Sequence, residues 1–269
     1  MEEKRDLRNI PTEELTDDEF NELVLELQQE ALQKARLEKN KPKTKRPFPR
    51  WTFWLMAIIL LFSTSSAVLE IYSIPAIEFL KTSAKLSQDE DIANYKKSVV
   101  VVTTENGKGT GFSVSSNGKI ITNYHVIEDR RNITVGFPND GKFPATVTET
   151  FPDVDLAILE TNGKNLPYLT TANRMDFTPD TPIRFIGNPL SFNGIANEGT
   201  LLDYKQLSDW DDKVMMIQAP VYRGNSGSPV FNEQGEVIGV IFATLNEKRH
   251  GKVGLVIPIE ELHRRSDVR

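Results

Sequence analysis

From Val99 onward the chain is a succession of short runs rich in β-branched residues, and few folds accommodate such a succession. VVVVTT, GTGFSVS, GKIITN, NITVGF, ATVTET and LAILE come first. A second set follows after about residue 180: PIRFIG, EGTLLDY, VMMIQA, GSPVF, EVIGVIFAT and VGLVIPI. Asn106-Gly107, Asn117-Gly118 and Asp140-Gly141 punctuate the first set, and such pairs suit tight hairpin turns. Strands this short, with little helix between them, predict an antiparallel barrel or sandwich rather than a parallel α/β sheet. Two sets predict two β-halves. The sequence has no internal repeat of about 20–50 residues, which argues against a solenoid or propeller.

The part before residue 97 follows different physics. Residues 1–30 hold 11 acids and 3 bases, a local charge of −8, whereas residues 31–50 hold 8 bases and one acid, a charge of +7. Directly after this sign change, residues 51–69 carry no charge at all, beginning WTFWLMAIILLF. As a helix this stretch spans about 28 Å, close to the ~30 Å hydrocarbon core of a bilayer. Trp51 and Trp54 lie at its basic end, where a membrane interface favours aromatic rings. The expectation is a transmembrane signal anchor over 51–69, with the basic side, and so the N-terminus, cytoplasmic and the later residues extracytoplasmic. Ser65-Ser66-Ala67 would suit removal of a signal peptide instead, but a charged leader of this length far exceeds an ordinary n-region.

The tail 1–50 has its own pattern. Thr16 and Glu19 read as a capping box, followed by Phe20, Leu23, Val24, Leu27 and Ala31 at helical spacing. This predicts an amphipathic acidic helix, either simply solvated or docking a cytoplasmic partner through residues 16–38. The basic run over 39–50 abuts the apolar span, so anionic membrane lipid is its expected partner rather than nucleic acid. Residues 70–96 read as a connector ending in a short helix, with Ser87 as its N-cap ahead of Gln88, Asp89 and Glu90.

Composition narrows the chemistry. Without cysteine there are no disulfides, thiolate nucleophiles or Cys-ligated metal centres, and three histidines make a His-rich metal site an unpromising reading. No metal and no cofactor is expected, and a net charge of −6 asks for no polyanion.

Three isolated polar groups stand out against the β background. Ser226 sits in Gly224-Asn225-Ser226-Gly227-Ser228-Pro229, a turn whose glycines allow special backbone angles and can aim successive amides at one point. His125 ends the GKIITN strand in Thr122-Asn123-Tyr124-His125. Asp155 opens the apolar run LAILE, where a carboxylate has to be at the mouth or paired, and Asp153 competes for the same role. Singly, each has an ordinary structural explanation. Together they stand in the order His, Asp, Ser, one of several orders that build the same hydrolytic triad.

The local words agree as well. GTGFSVSSNGKIITNYHVI, DVDLAILE, FIGNP, RGNSGSPVFNEQGEVIGVI and VGLVIPI resemble, in order and spacing, the trypsin-like serine proteases of the HtrA (Deg) family over about residues 90–262. The resemblance implies an all-β, chymotrypsin-like double β-barrel over 97–269, its halves at about 97–170 and 180–262, with the triad between them. It implies Ser226 as nucleophile, His125 as general base, Asp155 as the carboxylate orienting the base, and the amides of Gly224, Asn225 and Ser226 as the oxyanion hole. Its substrates would be polypeptides, as unfolded or exposed segments.

Two departures from that pattern qualify it. Ser228 stands where the family usually has glycine. Six positions before the nucleophile, where trypsin carries an acid, the chain has Pro220, which disfavours cleavage after Arg or Lys and favours a small or medium apolar P1 residue. With ten residues after Ile259 in this sequence, the PDZ domain common in the family is not expected to follow, and regulation by peptide capture is not assumed. A catalytically silent binding or signalling module is the rival reading.

Overall fold

The computed structural model describes residues 17–39, 49–173, 178–208 and 210–268; within them, the side chains of residues 17–20, 38, 39, 50 and 64–76 lie outside the description. Residues up to 65 form one unit and residues 66–269 another.

In the first unit α1 (Asp17–Lys39) carries the acidic stripe, with Leu23 and Val24 half-buried and Leu25, Leu27, Leu32 and Leu37 exposed. Thr16 and the side chains of Glu19 and Phe20, on which the capping box rested, lie outside the described residues. The second helix, α2 (Arg50–Leu86), is continuous through the expected span. Ten large apolar side chains between Trp51 and Phe62 are exposed on it, Trp54 to 72% and Phe62 to 78%. Among the described residues no helix is long and apolar enough to cross a membrane, and residues 64–69 of the expected span are among those whose side chains lie outside the description.

The short helix α3 (Glu90–Ser98) follows a tight turn. Its N-cap is Asp89 rather than Ser87: Asp89 Oδ1 accepts from the Asp91 amide at 3.0 Å. Ser87 is unavailable because its hydroxyl donates back to the Ser83 carbonyl, closing the last turn of α2.

Two closed six-stranded antiparallel barrels follow. The first runs β1 (Val99–Thr104), β2 (Gly107–Ser113), β3 (Lys119–Thr122), the single turn α4 (Tyr124–Ile127), β4 (Ile133–Phe137), β5 (Gly141–Phe151), a 3₁₀ turn Pro152–Val154 and β6 (Leu156–Thr161), in spatial order β1-β2-β3-β6-β5-β4. The second runs β7 (Pro182–Gly187), β8 (Ile195–Lys205), β9 (Val214–Gln218), β10 (Pro229–Phe231), β11 (Val237–Glu247) and β12 (Gly251–Pro258), closed as β10-β11-β12-β9-β8-β7; α5 (Ile259–Arg265) ends it. The first hairpin turns on Glu105-Asn106, because Thr104 already pairs with Gly107. Gly118 and Gly141 take positive φ (+85° and +96°), angles that favour glycine and that their turns need.

Each barrel fills its interior with its own inward-facing residues. Val100, Val102, Ile120, Val135 and Leu159 pack in the first, and Phe185, Leu201, Ile217, Ile238 and Val256 in the second. A third cluster joins the barrels: Phe112, Ile121 and Ile158 meet Phe231, Val240 and Ile257, with Ile92 of α3 and Leu262 of α5 sealing it. Phe112 and Phe231 are fully buried there, so truncating either costs about 3–5 kcal/mol, and the barrels are held in one register. That register fixes every distance in the site below.

Candidate active site

The carboxylate comes first because one unusual backbone position places it. Asp155 caps the 3₁₀ turn in the left-handed region (φ 51°, ψ 41°), which turns its side chain toward the segment after β3. Its Oδ1 accepts from the His125 backbone amide at 2.9 Å and its Oδ2 meets His125 Nδ1 at 2.7 Å. Its own carbonyl accepts from the Tyr124 amide at 3.2 Å and from Asn123 Nδ2 at 2.9 Å. Four hydrogen bonds therefore lock residues 123–125 onto Asp155. A carboxylate on Nδ1 fixes the tautomer in which Nε2 is the free base. The Asp155 side chain is 15% exposed and that of His125 45%, so the ring is held at its inner edge and open at its outer one. Asp153 is excluded from this role, since its carboxylate pairs with Arg265 at 3.0 Å.

Ser226 arrives from the other barrel on the turn between β9 and β10. Gly224 (φ +97°) and Gly227 (φ +86°) take angles that favour glycine, and a Cβ on Gly227 would lie 1.9 Å from the Thr110 carbonyl oxygen. Thr110 of β2 is the anchor. Its amide donates to the Ser226 carbonyl at 2.8 Å, its hydroxyl donates to the Gly224 carbonyl at 2.7 Å and accepts from the Asn188 amide at 2.9 Å. Thr122, three residues before His125, donates to the Thr110 carbonyl at 2.7 Å. The nucleophile turn and the histidine segment thus share one buried threonine.

The backbone amides divide unequally. The Asn225 amide donates to the Tyr222 carbonyl at 3.1 Å, so of the three amides expected for an oxyanion hole this one is engaged. The Arg223 carbonyl accepts from the Leu190 amide at 2.8 Å. Because a trans peptide points its carbonyl and the following amide to opposite sides, the Gly224 N–H faces away from Leu190. Among the described residues neither the Gly224 nor the Ser226 amide has a protein acceptor, and these two free donors flank the nucleophile.

Ser226 Oγ donates to the Phe242 carbonyl at 3.3 Å, and no hydrogen bond joins it to His125. The described site therefore contains the His125–Asp155 pair, Ser226 on its clamped turn and two free amides, with the hydroxyl turned toward β11. Beside it lies a cavity of about 290 Å³ lined by Val221, Tyr222, Arg223, Ile241–Thr244 and Lys252.

Some functional residues escaped the sequence reading. Asn188, within FIGNP, is buried, donates to the Val100 carbonyl at 2.9 Å and accepts from the Gly194 amide at 2.9 Å, tying the 188–194 loop to the first barrel. Lys108 holds the same loop through the Phe192 carbonyl and Asn193 Oδ1, and burial keeps its ammonium pKa below the usual lysine range. Glycine-flanked Thr110 and the Asn123 ahead of the histidine were visible as letters but gave no pattern of their own. The substituted Ser228 is fully buried beside Gly187 and the Asn225 side chain.

Comparison with known proteins finds relatives for the barrel region. Residues 109–240 match the family model described as a trypsin-like peptidase domain. A probable periplasmic serine endoprotease, DegP-like, of Chlamydia pneumoniae is 35% identical over 159 residues, 58% of this chain and 32% of the relative. The corresponding protein of Pseudomonas fluorescens is 34% identical over 134 residues, 49% of this chain and 28% of the relative. The chain thus spans about a third of the length of the curated relatives it matches. Among solved structures, the Rv3671c protease from M. tuberculosis in its active form superimposes with a TM-score of 0.60 at 26% identity, covering 68% of this chain and 85% of that one. The MamO protease domain from Magnetospirillum magneticum, at 20% identity and a TM-score of 0.56 over 64% of this chain and 97% of that one, shares the fold. Over residues 109–240 this chain is thus similar to trypsin-like peptidase domains, and the curated relatives it matches are DegP-like serine endoproteases.

Proposed function

We propose that the chain is a membrane-anchored serine endopeptidase that cleaves extracytoplasmic proteins, in quality control or processing, through His125, Asp155 and Ser226. The observation that carries this reading is the two-point clasp of Asp155 on His125, opposite a serine clamped to the same barrel through Thr110. In the reaction His125 Nε2 takes the Ser226 proton as Oγ attacks the scissile carbonyl. The Gly224 and Ser226 amides receive the charge that develops on the carbonyl oxygen, and Asp155 stabilises the imidazolium. His125 then returns the proton to the leaving amine, and water releases the acyl-enzyme by the same steps in reverse. The hydroxyl first has to rotate from the Phe242 carbonyl to His125.

The anchor is supported by the uncharged stretch 51–69 on continuous α2, its exposed apolar side chains and the basic residues before it. The relatives' description as periplasmic endoproteases supports an extracytoplasmic domain behind a cytoplasmic N-terminus. Lipid is then the partner of 39–50, and the helix over 16–38 is either simply solvated or a docking element for a cytoplasmic protein. The second reading, a silent protease-like module, is favoured by the Ser226–Phe242 hydrogen bond. A fluorophosphonate probe on the full chain decides between them: labelling that disappears in Ser226→Ala supports the enzyme, and absence of labelling in the unmodified chain supports the silent module.

A further inference from the structure

Deepening the peptidase reading, and resting on it, we propose that the cavity beside Ser226 is a P1 pocket selective for acidic side chains, with Lys252 as the residue that sets this specificity. The lining carries two cations, Lys252 and Arg223, and no acid. Three arginines of the same domain are paired with acids: Arg184 with Asp89, and Arg264 and Arg265 with Asp212. Among the described residues Lys252 and Arg223 make no ion pair; the Lys252 ammonium instead lies over the Tyr222 ring, 5.6 Å from its centroid. Tyr222 itself makes an edge-on contact with Phe79 of α2, centroids 4.8 Å apart.

The strand pattern explains how the lysine reaches the pocket. Alternate residues of a strand share a face, so Lys252 and Gly254 of β12 point the same way. A Cβ on Gly254 would lie 2.8 Å from side-chain carbons of Ile217 and Val221, which places this face against the pocket wall. Glycine at 254 lets Ile217 and Val221 pack closely behind the pocket, and Lys252, one pleat along, lines it. Pro220, where trypsin has its acid, lines the adjoining cavity of about 390 Å³ together with Lys252. The charge near the pocket is thus inverted relative to trypsin. A Glu or Asp side chain would meet the Lys252 ammonium and the Thr244 hydroxyl, while Val221, Ile241 and Ala243 would pack its methylenes. This replaces the apolar P1 that Pro220 alone suggested. The open mouth keeps solvent near the pair, so selectivity of roughly tenfold for Glu over uncharged, isosteric Gln is expected, not a thousandfold.

The test uses the full chain in detergent, a set of peptide substrates differing only at P1 (Glu, Asp, Gln, Val, Lys), and the fluorophosphonate probe on the same preparations. Expected is the highest kcat/KM for Glu or Asp. The Glu/Gln ratio should fall to about one in Lys252→Gln and be restored in Lys252→Arg, each ratio being taken within one preparation whose active fraction is counted by probe labelling. Labelled enzyme that prefers Gln, Val or Lys, or a Glu/Gln ratio untouched by Lys252→Gln, overturns the pocket assignment alone. Absence of both labelling and turnover overturns the peptidase reading, and the pocket assignment with it.

Discussion

Thr110→Val is nearly isosteric and removes only the hydroxyl. In the native site that oxygen accepts from the buried Asn188 amide at 2.9 Å and donates to the Gly224 carbonyl at 2.7 Å. Thr110 is fully buried, so valine leaves one donor and one acceptor without partners, each worth about 1–3 kcal/mol. The expected loss of stability is about 3 kcal/mol, which for a unit of this size lowers Tm by roughly 6–12 °C. Activity should fall further than stability requires. The Gly224 carbonyl belongs to the turn that presents the oxyanion amides, and a turn free to rotate misplaces donors whose value depends on preorganisation. The loss should therefore appear in kcat, of order 10–100-fold, with KM little changed. Thr110→Ser, keeping the hydroxyl, should recover most of kcat. Thermal unfolding with peptide hydrolysis well below Tm reads both effects. A valine variant with native Tm and native kcat would refute the idea that this hydroxyl couples the barrels.

Asp155→Asn should cost on the order of 10⁴ in kcat, the size of the corresponding change in a chymotrypsin-type triad. The amide can still accept from the His125 backbone but presents NH₂ to Nδ1, favouring the wrong tautomer; single-turnover hydrolysis and an NMR signal for the imidazole N–H check it. Acid stability should depend on Asp212, whose carboxyl is held below its usual value by hydrogen bonds from Arg265 and Arg264. A lowered folded-state pKa gives stabilisation that is complete above the unfolded value of about 4 and is lost as pH falls through the folded one. Asp212→Asn should accordingly flatten the urea midpoint between about pH 5 and pH 2, and an unchanged acid limb would refute the ion pairs' role.

What could be read from the sequence follows from how each feature is encoded. The strands were legible because β-branched runs of half-buried residues carry their own signature, and the pairing of His125 with Asp155 because both stand beside strand ends that can be read locally. The choice of Asp155 over Asp153 came from the resemblance alone, and its physical reason lies in the structure: a left-handed residue turns one carboxylate inward while Arg265, 112 positions away, takes the other. Ser87 failed as a cap because α2 extends up to it, and helix ends are set by competing hydrogen bonds rather than by one favourable letter. The Asn225 amide was misassigned because peptide orientation within a turn is not written in residue type. Thr110 was silent for a similar reason: its partners lie 78 and 114 positions away in the other barrel.

These distances separate the site into two halves. His125 and Asp155 are 30 positions apart and belong to one barrel, so the base and its orienting carboxylate assemble whenever that barrel closes. Ser226 belongs to the other barrel and is brought into register through Thr110, the buried Phe112–Phe231 cluster and the 188–194 loop. Its hydroxyl needs only exchange one neutral hydrogen bond, to the Phe242 carbonyl, for another to His125, a rotation about one side-chain bond that is inexpensive beside the several kcal/mol holding the barrels together. Turning the hydroxyl toward His125 therefore asks nothing of the framework, which already holds both halves of the site in place.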